Sequence, residues 1–577
     1  MGMVAKYGIK ACMALLMLSS GWVVAETGAK NAASPEVQLR ITNSHLHVPV
    51  FSQPTRGKHR RNAIHLALYD GERLVQDFHV SLPRKNQPYW VAAYPLEQFD
   101  LKDKTVTIKI VDDPRGMVAP GTPPDPMVWK WAMEQISVGD DLPGEIEADY
   151  GKPYRNQFHP SARRGWNNDP NGMVYHNGKY HLYFQYNPFG IYWGNMHWGH
   201  FESDDMVHWK EKPIALYQNT QRDMMFSGGG FVDFNNSSGL GAGTLMAAFT
   251  TTGRGKNGYE RAECIAYSKD DGISFAEFPE NPLISHDGRD PKILWYEPEK
   301  KWVMVAYDAE ARDETRAIPA EGTFHDEHGH FAFYESKDLR RWKQTGVFVD
   351  PDRDAVFECP ELLEVKIGDR SRWVTFGAQG RYFIGDFNGK TFVKESGPHG
   401  ELMGPYSAHG AFYAAQNFSD LPDGRMVRIG WVRTSEHYAG MFPDQVVGES
   451  CTLPHELQLR ETAEGLRMAC VPVDEVKTLR AGKLDRLEDC KGELTEVLVE
   501  FEEDGWHELM INGIDASFEG KSARIFTDRT INEVYANDGL YYRVNERQAD
   551  AFDSTETIVK NGTVKSLEIY RLKSIWK

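Results

Sequence analysis

The sequence is short of cationic side chains, of cysteine and of long apolar runs. Lys and Arg number 65 against 83 Asp and Glu in 577 residues, a formal charge of −18. Binding to a phosphate backbone rests on clustered Lys and Arg, so this balance argues against nucleic acid as a partner and, equally, against an anionic polymer as substrate. Neutral substrates are favoured. Of six cysteines, Cys12 lies near the N-terminus and Cys264, Cys359, Cys451, Cys470 and Cys490 are scattered at no metal-ligand spacing. An odd set of five leaves at least one thiol free and indicates no disulfide framework. The apolar run Ala11 to Leu18 is well short of the roughly 20 residues that cross a bilayer, and no later segment reaches that length. With Lys6 and Lys10 before it and Val23 and Ala25 after it, it reads as a signal peptide over 1–25. The expected location is therefore secreted, periplasmic or extracellular, with no membrane span.

Turn formers and aromatics are plentiful. With 52 Gly, 30 Pro and 12% aromatic residues, and few amphipathic stretches, the composition predicts an all-β chain of two or three domains. Residues 26 to about 45 read as linker or frayed start, and 26–150 as an N-terminal β-sandwich-like module with its linker. Ala63 to Tyr69 and Thr105 to Val111 alternate as strands do, bounded by Asp70-Gly71 and Asp112-Asp113-Pro114. Tyr89 and Trp90 read as packing residues, and Pro120 to Pro126 as connector. From 151 to 465 the sequence repeats: SDDMVHW at 203–209, SKDDGISF at 268–275 and SKDLRRW at 336–342 start 65 and then 68 residues apart. A strand-rich repeat of this size, over 315 residues, predicts a five-bladed β-propeller. Residues 466–577 follow as a C-terminal unit.

Three acidic stretches stand out in the repeating region. WNNDPNG at 166–172 sets Asp169 among amides, proline and glycine, which predicts a tight, rigid turn holding a carboxylate still. Trp166 beside it is either a stacking face for a sugar ring or plain core. Arg289-Asp290-Pro291 and Glu358-Cys359-Pro360 repeat the pattern of an acid within two residues of a proline at the entrance to a strand. A propeller gathers strand ends around a central funnel, where acids distant in sequence can meet.

These motifs, with FQYNP at 184–188, WGNMHWGH at 193–200, FSGG at 226–229, AFYAAQNF at 411–418, GWVR at 430–433 and TLPHEL at 452–457, closely resemble the family 32 glycoside hydrolases, the invertases, inulinases and levanases. IFTDRTINEVYANDG at 525–539 resembles the C-terminal β-sandwich these enzymes carry; the N-terminal module is not part of the common family core. The resemblance implies retaining hydrolysis of terminal fructose from fructans, levan or inulin, and from sucrose. Asp169 would be the nucleophile, Glu358 the acid/base and Asp290 the holder of fructose hydroxyls, with Asn168, Gln185, Trp193, Phe226, Ser227, Arg289 and Trp431 around the substrate. Trp193 and Trp431 fit either a sugar-facing wall or packing. Retention requires carboxyl groups about 5 to 5.5 Å apart, and acid catalysis leads us to expect a raised pKa at Glu358 from burial and from Asp169. Asn167 and Gly229 depart from the family pattern and are expected near the pocket rim.

TFHDEHGH at 323–330 has no helical metal-ligand spacing, and neither metal nor other cofactor is expected. Cys359 lacks the partnered histidine a thiol nucleophile needs and is expected only to modulate its neighbours. Endo cleavage of levan or inulin and fructosyl transfer remain alternatives to exo release. A sialidase reading, suggested by SKDDGISF, explains none of the RDP and ECP pairing, and a silent sugar-binding propeller would need one of the three acids missing.

Overall fold

The computed structural model describes residues 35–52, 63–112, 126–142, 144–256, 260–309, 329–400, 411–434, 442, 445–548 and 552–576. The expected signal peptide, most of the Pro120 to Pro126 connector and all but the last two residues of TFHDEHGH lie outside these. The described chain is all β apart from short helical turns, and no described helix is long and apolar enough to cross a membrane.

Two sheets come first. One runs Glu36–Arg40, Thr105–Val111, Ala63–Asp70, Arg73–Ser81, and the other Tyr89–Pro95, His45–Phe51, Ser137–Gly139. Leu46, Val48, Leu66, Phe78, Val106 and Ile108 fill the space between them. The two strands read from alternation are present. Glu36–Arg40 corrects the linker expectation: it pairs with Thr105–Val111, Glu36 opposite Lys109. As an edge strand it turns only Val37 and Leu39 toward the core, so its sequence looks polar. Trp90 is buried as expected, whereas Tyr89 is 44% exposed and meets the edge of Trp131.

Five antiparallel meanders follow, each built on a path of four strands in chain order, with one short extra strand off the path in the second and in the fifth. Their first strands are Trp166–His176, Gly230–Asp233, Arg289–Tyr296, Glu361–Ile367 and Phe412–Asn417. The repeated Ser-acid motifs are one turn made three times, between the third and fourth strands of the first three sheets. Ser203, Ser268 and Ser336 donate to Asp205, Asp270 and Asp338, and each carboxylate accepts backbone N–H groups just downstream. The first strands touch in succession. Gly172 N–H donates to Gly228 O at 2.8 Å, Gly229 N–H to Pro291 O at 2.9 Å, and Asn417 N–H to Glu361 Oε1 at 3.2 Å. Tyr175 and Ser419 N–H groups then join the fifth first strand to the first, each at 3.0 Å.

The fifth sheet ends with Gly465–Pro472, so its last hairpin straddles residue 465. Beyond it a six-stranded sheet contains the hairpin Ser522–Thr527 and Ile531–Ala536, formed by IFTDRTINEVYANDG. This hairpin grips the segment leading into the first meander. His159, fully buried, lies between Asp528 and Glu533 at 2.9 Å from each, and Asp528 also accepts the N–H groups of Gln157, Phe158 and His159. The two carboxylates outweigh burial and raise the His159 pKa to about 9.

His159→Ala strands two buried carboxylates and should cost about 3–5 kcal/mol in denaturant unfolding. Because the folded pKa lies above the unfolded value of 6.5, this stabilisation is fully present below pH 6.5 and is lost as pH rises through about 9, a slope the variant should lack.

Candidate active site

WNNDPNG is not a turn; it opens the eleven-residue strand Trp166–His176. The register against Lys179–Asn187 shifts between Asn167 and Pro170 and again between Asn171 and Val174. These two bulges explain the misreading. Pro170 has no N–H for the ladder, and Gly172 sits at φ +53 with the Trp198 and Tyr183 rings 2.7 Å from where a Cβ would lie. Turn formers serve bulges as well as turns, and a bulge re-aims the side chain beside it. Here that side chain is Asp169.

Trp166 Nε1–H donates to Asn168 Oδ1 at 2.9 Å, and Asn168 Nδ2–H donates to Asp169 Oδ1 at 3.0 Å. From the second sheet Ser227 Oγ–H donates to Asp169 Oδ2 at 2.7 Å. Burial, with help from Glu358, raises the Asp169 pKa to about 6 against the pull of Ser227, Asn168 and Arg433.

Asp290 and Glu358 occupy left-handed backbone, at φ +67 and +50, where non-glycine residues are uncommon and strained. A register shift between Arg289 and Lys292 accommodates Pro291. Asp290 N–H donates to Thr250 Oγ1 at 2.9 Å, and its Oδ2 accepts Cys359 N–H at 3.0 Å. Burial, Glu358 and Asp169 raise its pKa to about 7 despite Arg289 nearby. The Cys359 thiol, 3.6 Å from the same oxygen, is pushed well up by burial and by the acids, which makes it a poor nucleophile. All five described cysteines are buried and unpaired in disulfides.

Glu358 overturns its expected pKa. Burial acts to raise it, but Arg289, Tyr413 and Arg433 together hold it below the usual range. Arg289 donates from Nε at 3.0 Å and Nη2 at 2.5 Å to Oε1, and Tyr413 Oη–H donates to Oε2. Glu358 is therefore the weakest proton acceptor of the three acids, and Asp169 and Asp290 the stronger ones.

The remaining expected residues converge to different degrees. Gln185 is buried and donates to Met225 O at 2.9 Å, bracing the segment before Ser227. Trp193 is half-buried and meets Phe226 edge-on at 5.9 Å. Trp431 is buried edge-on to Trp166 and Tyr413. Asn167 and Gly229 do not lie at a rim. Asn167 is fully buried, and its Oδ1 accepts Ala162 N–H at 3.3 Å. A Cβ at Gly229 would lie 2.7 Å from Lys292 Cδ, so the missing side chain leaves room for the lysine that reaches Asn417 O and Glu361. Sequence reasoning missed three residues: Tyr413, Thr250 and Arg433, whose guanidinium lies 4.8 Å from the Tyr413 ring. Tyr413 and Arg433 stand inside the recognised motifs AFYAAQNF and GWVR, but which motif residue faces an acid is set by strand register.

Among the described residues no group of three or more His, Cys, Asp or Glu could hold a metal ion. One buried and two half-buried carboxylates, Asp290 with Asp169 and Glu358, braced by amide, hydroxyl and guanidinium donors, suit proton transfer and nucleophilic attack.

Asp169 and Asp290 bind protons more tightly folded than unfolded, so their contribution to stability falls as pH rises between about 4 and 7. Asp169→Asn should remove a shift of about two units, worth up to about 3 kcal/mol. The expected outcome is a higher unfolding midpoint than the parent at pH 8 and near parity at pH 4, measured by thermal denaturation.

Residues 159–469, just over half of the 577, match the family model described as Glycosyl hydrolases family 32 N-terminal domain. The chain is 36% identical to a levanase of Bacillus subtilis over 355 residues, covering 57% of this chain and 48% of that one. It is 32% identical to an extracellular exo-inulinase of Aspergillus niger over 357 residues, covering 54% and 63%. It thus spans about half to under two thirds of these relatives. The solved exo-inulinase of Aspergillus awamori superposes with a TM-score of 0.60 at 25% identity, over 74% of this chain and all of the other. On that family-model match over more than half of its length, the chain belongs to glycosyl hydrolase family 32.

Proposed function

We propose that this protein is a secreted, retaining β-fructofuranosidase that releases terminal fructose from levan or inulin, and from sucrose. The observation that carries this reading is the convergence of Asp169, Asp290 and Glu358, from the first, third and fourth meanders, on one cluster. The five meanders, joined first strand to first strand and back to the start, support a five-bladed propeller over about 151–472. It is flanked by the N-terminal module over 26–150 and a C-terminal β-sandwich from about 473, after a signal peptide over 1–25.

In the proposed reaction Asp169 attacks the anomeric carbon of fructose. Its oxygens are already aimed by Asn168 and Ser227, so little reorganisation precedes attack. Glu358 protonates the departing oxygen and later activates water for the second displacement. Because Arg289, Tyr413 and Arg433 hold its pKa down, Glu358 must first take up that proton. The leaving oxygen, by displacing one of the donors on Glu358, moves that proton onto it. Asp290 accepts fructose hydroxyls through bonds that strengthen as positive charge develops. The likeness to exo-inulinases supports exo over endo action.

Timed product analysis on levan, inulin and sucrose should give free fructose from the first minutes. An early ladder of oligosaccharides would sink the exo reading, and no turnover of any of the three would count against the assignment. Asp169→Ala should lower kcat on the order of 10⁴-fold without unfolding the protein. The free-enzyme pKa values of about 6 and about 7 predict that kcat/KM falls below about pH 6, where Asp169 takes up a proton, and above about pH 7, where the cluster loses its own. Proton NMR of the first-formed fructose should show retention; inversion would rule out Asp169 as nucleophile.

A further inference from the structure

The strand Arg73–Ser81 is the edge of its sheet, and its outward peptide groups need partners. Those partners are amide side chains from loops of the first meander. Asn195 takes His79 N–H on Oδ1 and donates Nδ2–H to His79 O, both at 2.8 Å, as another peptide group would. Gln218 Nε2–H donates to Asp77 O at 2.8 Å, and Asp77 Oδ1 accepts Gln221 N–H at 2.8 Å.

Asn195 is fully buried, at φ +47, and its amide is saturated: its second donor meets Asn187 Oδ1 at 2.8 Å and its second acceptor site takes Gln221. It stands two residues from Trp193, on the loop between Asn187 and His197. The rest of that loop belongs as much to the N-terminal sheets as to its own. The Phe189 ring stacks on Phe78 at 3.8 Å, and Phe189 and Ile191 are buried in the N-terminal core. On its other flank Met196 O accepts Met225 N–H at 3.1 Å, one residue before Phe226 and two before Ser227.

From this arrangement, and resting on the function proposed above, we infer that the N-terminal module fixes the loop that presents Trp193 to the substrate, with Asn195 the positioning residue that seats Trp193 against the sugar. The module's edge strand runs through the Asn195 amide into the Trp193 loop, so displacement of one displaces the other. No hydrogen bond of this clamp reaches Asp169 or Glu358 directly, and its link to Ser227 runs through the Met225 backbone, so substrate binding should suffer more than bond cleavage.

The test is a KM against kcat comparison on sucrose and a short fructan. Asn195→Asp keeps the shape but sets an acceptor against His79 O and Asn187 Oδ1. It should raise KM about tenfold or more, with kcat within about threefold and an unchanged pH profile of kcat. Phe189→Leu, which removes the ring stacked on Phe78 and leaves the hydrogen bonds alone, should move KM the same way by less. Val106→Ala, in the N-terminal core away from the loop, should lower stability without changing KM. Unchanged KM in both loop variants overturns the inference, as does an equal rise in Val106→Ala. Hydrogen exchange over residues 188–196 reads the clamp independently of turnover. Faster exchange in Asn195→Asp supports it and parental protection refutes it, whereas an inactive parent protein would fault the proposed substrate instead.

Discussion

The structure is governed by the cost of crowding three carboxylates, one buried and two half-buried, into one site. Arg289 pairs with Glu358 and lies 3.8 Å from Asp290, and Arg433 adds its field from the fifth meander. The remaining imbalance is met by protons, which is why Asp169 and Asp290 titrate near neutrality while Glu358 does not. The two acids assigned to the double displacement thus have their affinities driven apart, but in the free protein Asp169 holds a proton more tightly than Glu358, so Glu358 must gain proton affinity before it can act as the acid.

Holding that charge in place shapes the backbone. Asp169 is aimed by a bulged strand, Asp290 by a bulge and a left-handed residue, and Glu358 by a left-handed pair with Cys359. Each deviation sits on or just before the first strand of a meander, and neighbouring strands take up hydrogen bonds there: Asp290 N–H goes to Thr250 Oγ1 and Cys359 N–H to Asp290 Oδ2. Strain of this kind persists only where the surroundings over-determine it. The contacts running from one first strand to the next and back to the start provide that restraint.

Much of this was legible in the sequence. The Ser-acid repeats gave the meanders because they make the same local hydrogen bonds wherever they occur, and local bonds are written in local residues. Asp169, Asp290 and Glu358 stood out by composition and by resemblance. What failed was whatever depends on distant partners. WNNDPNG read as a turn because its bulges exist only against Lys179–Asn187. The expectation of a protonated Glu358 fails because Arg289, 69 residues away, Tyr413, 55 residues away, and Arg433 face it only in the folded chain. Asn167 and Gly229 were placed at a rim because their buried neighbours are invisible in one dimension. Glu36–Arg40 escaped notice since an edge strand turns so little apolar surface inward.

The grip of Asp528 and Glu533 on His159 bears on the order in which the chain is made. The partners lie 369 and 374 residues apart, and His159 stands just before the strand that carries Asp169. At about 5–20 residues per second, roughly 20 to 75 seconds pass between synthesis of His159 and of the acids that hold it. Through that interval the segment feeding the first strand lacks its anchor. A chain interrupted before Asp528 therefore carries all three acids but lacks the contact that fixes the segment leading into the Asp169 strand.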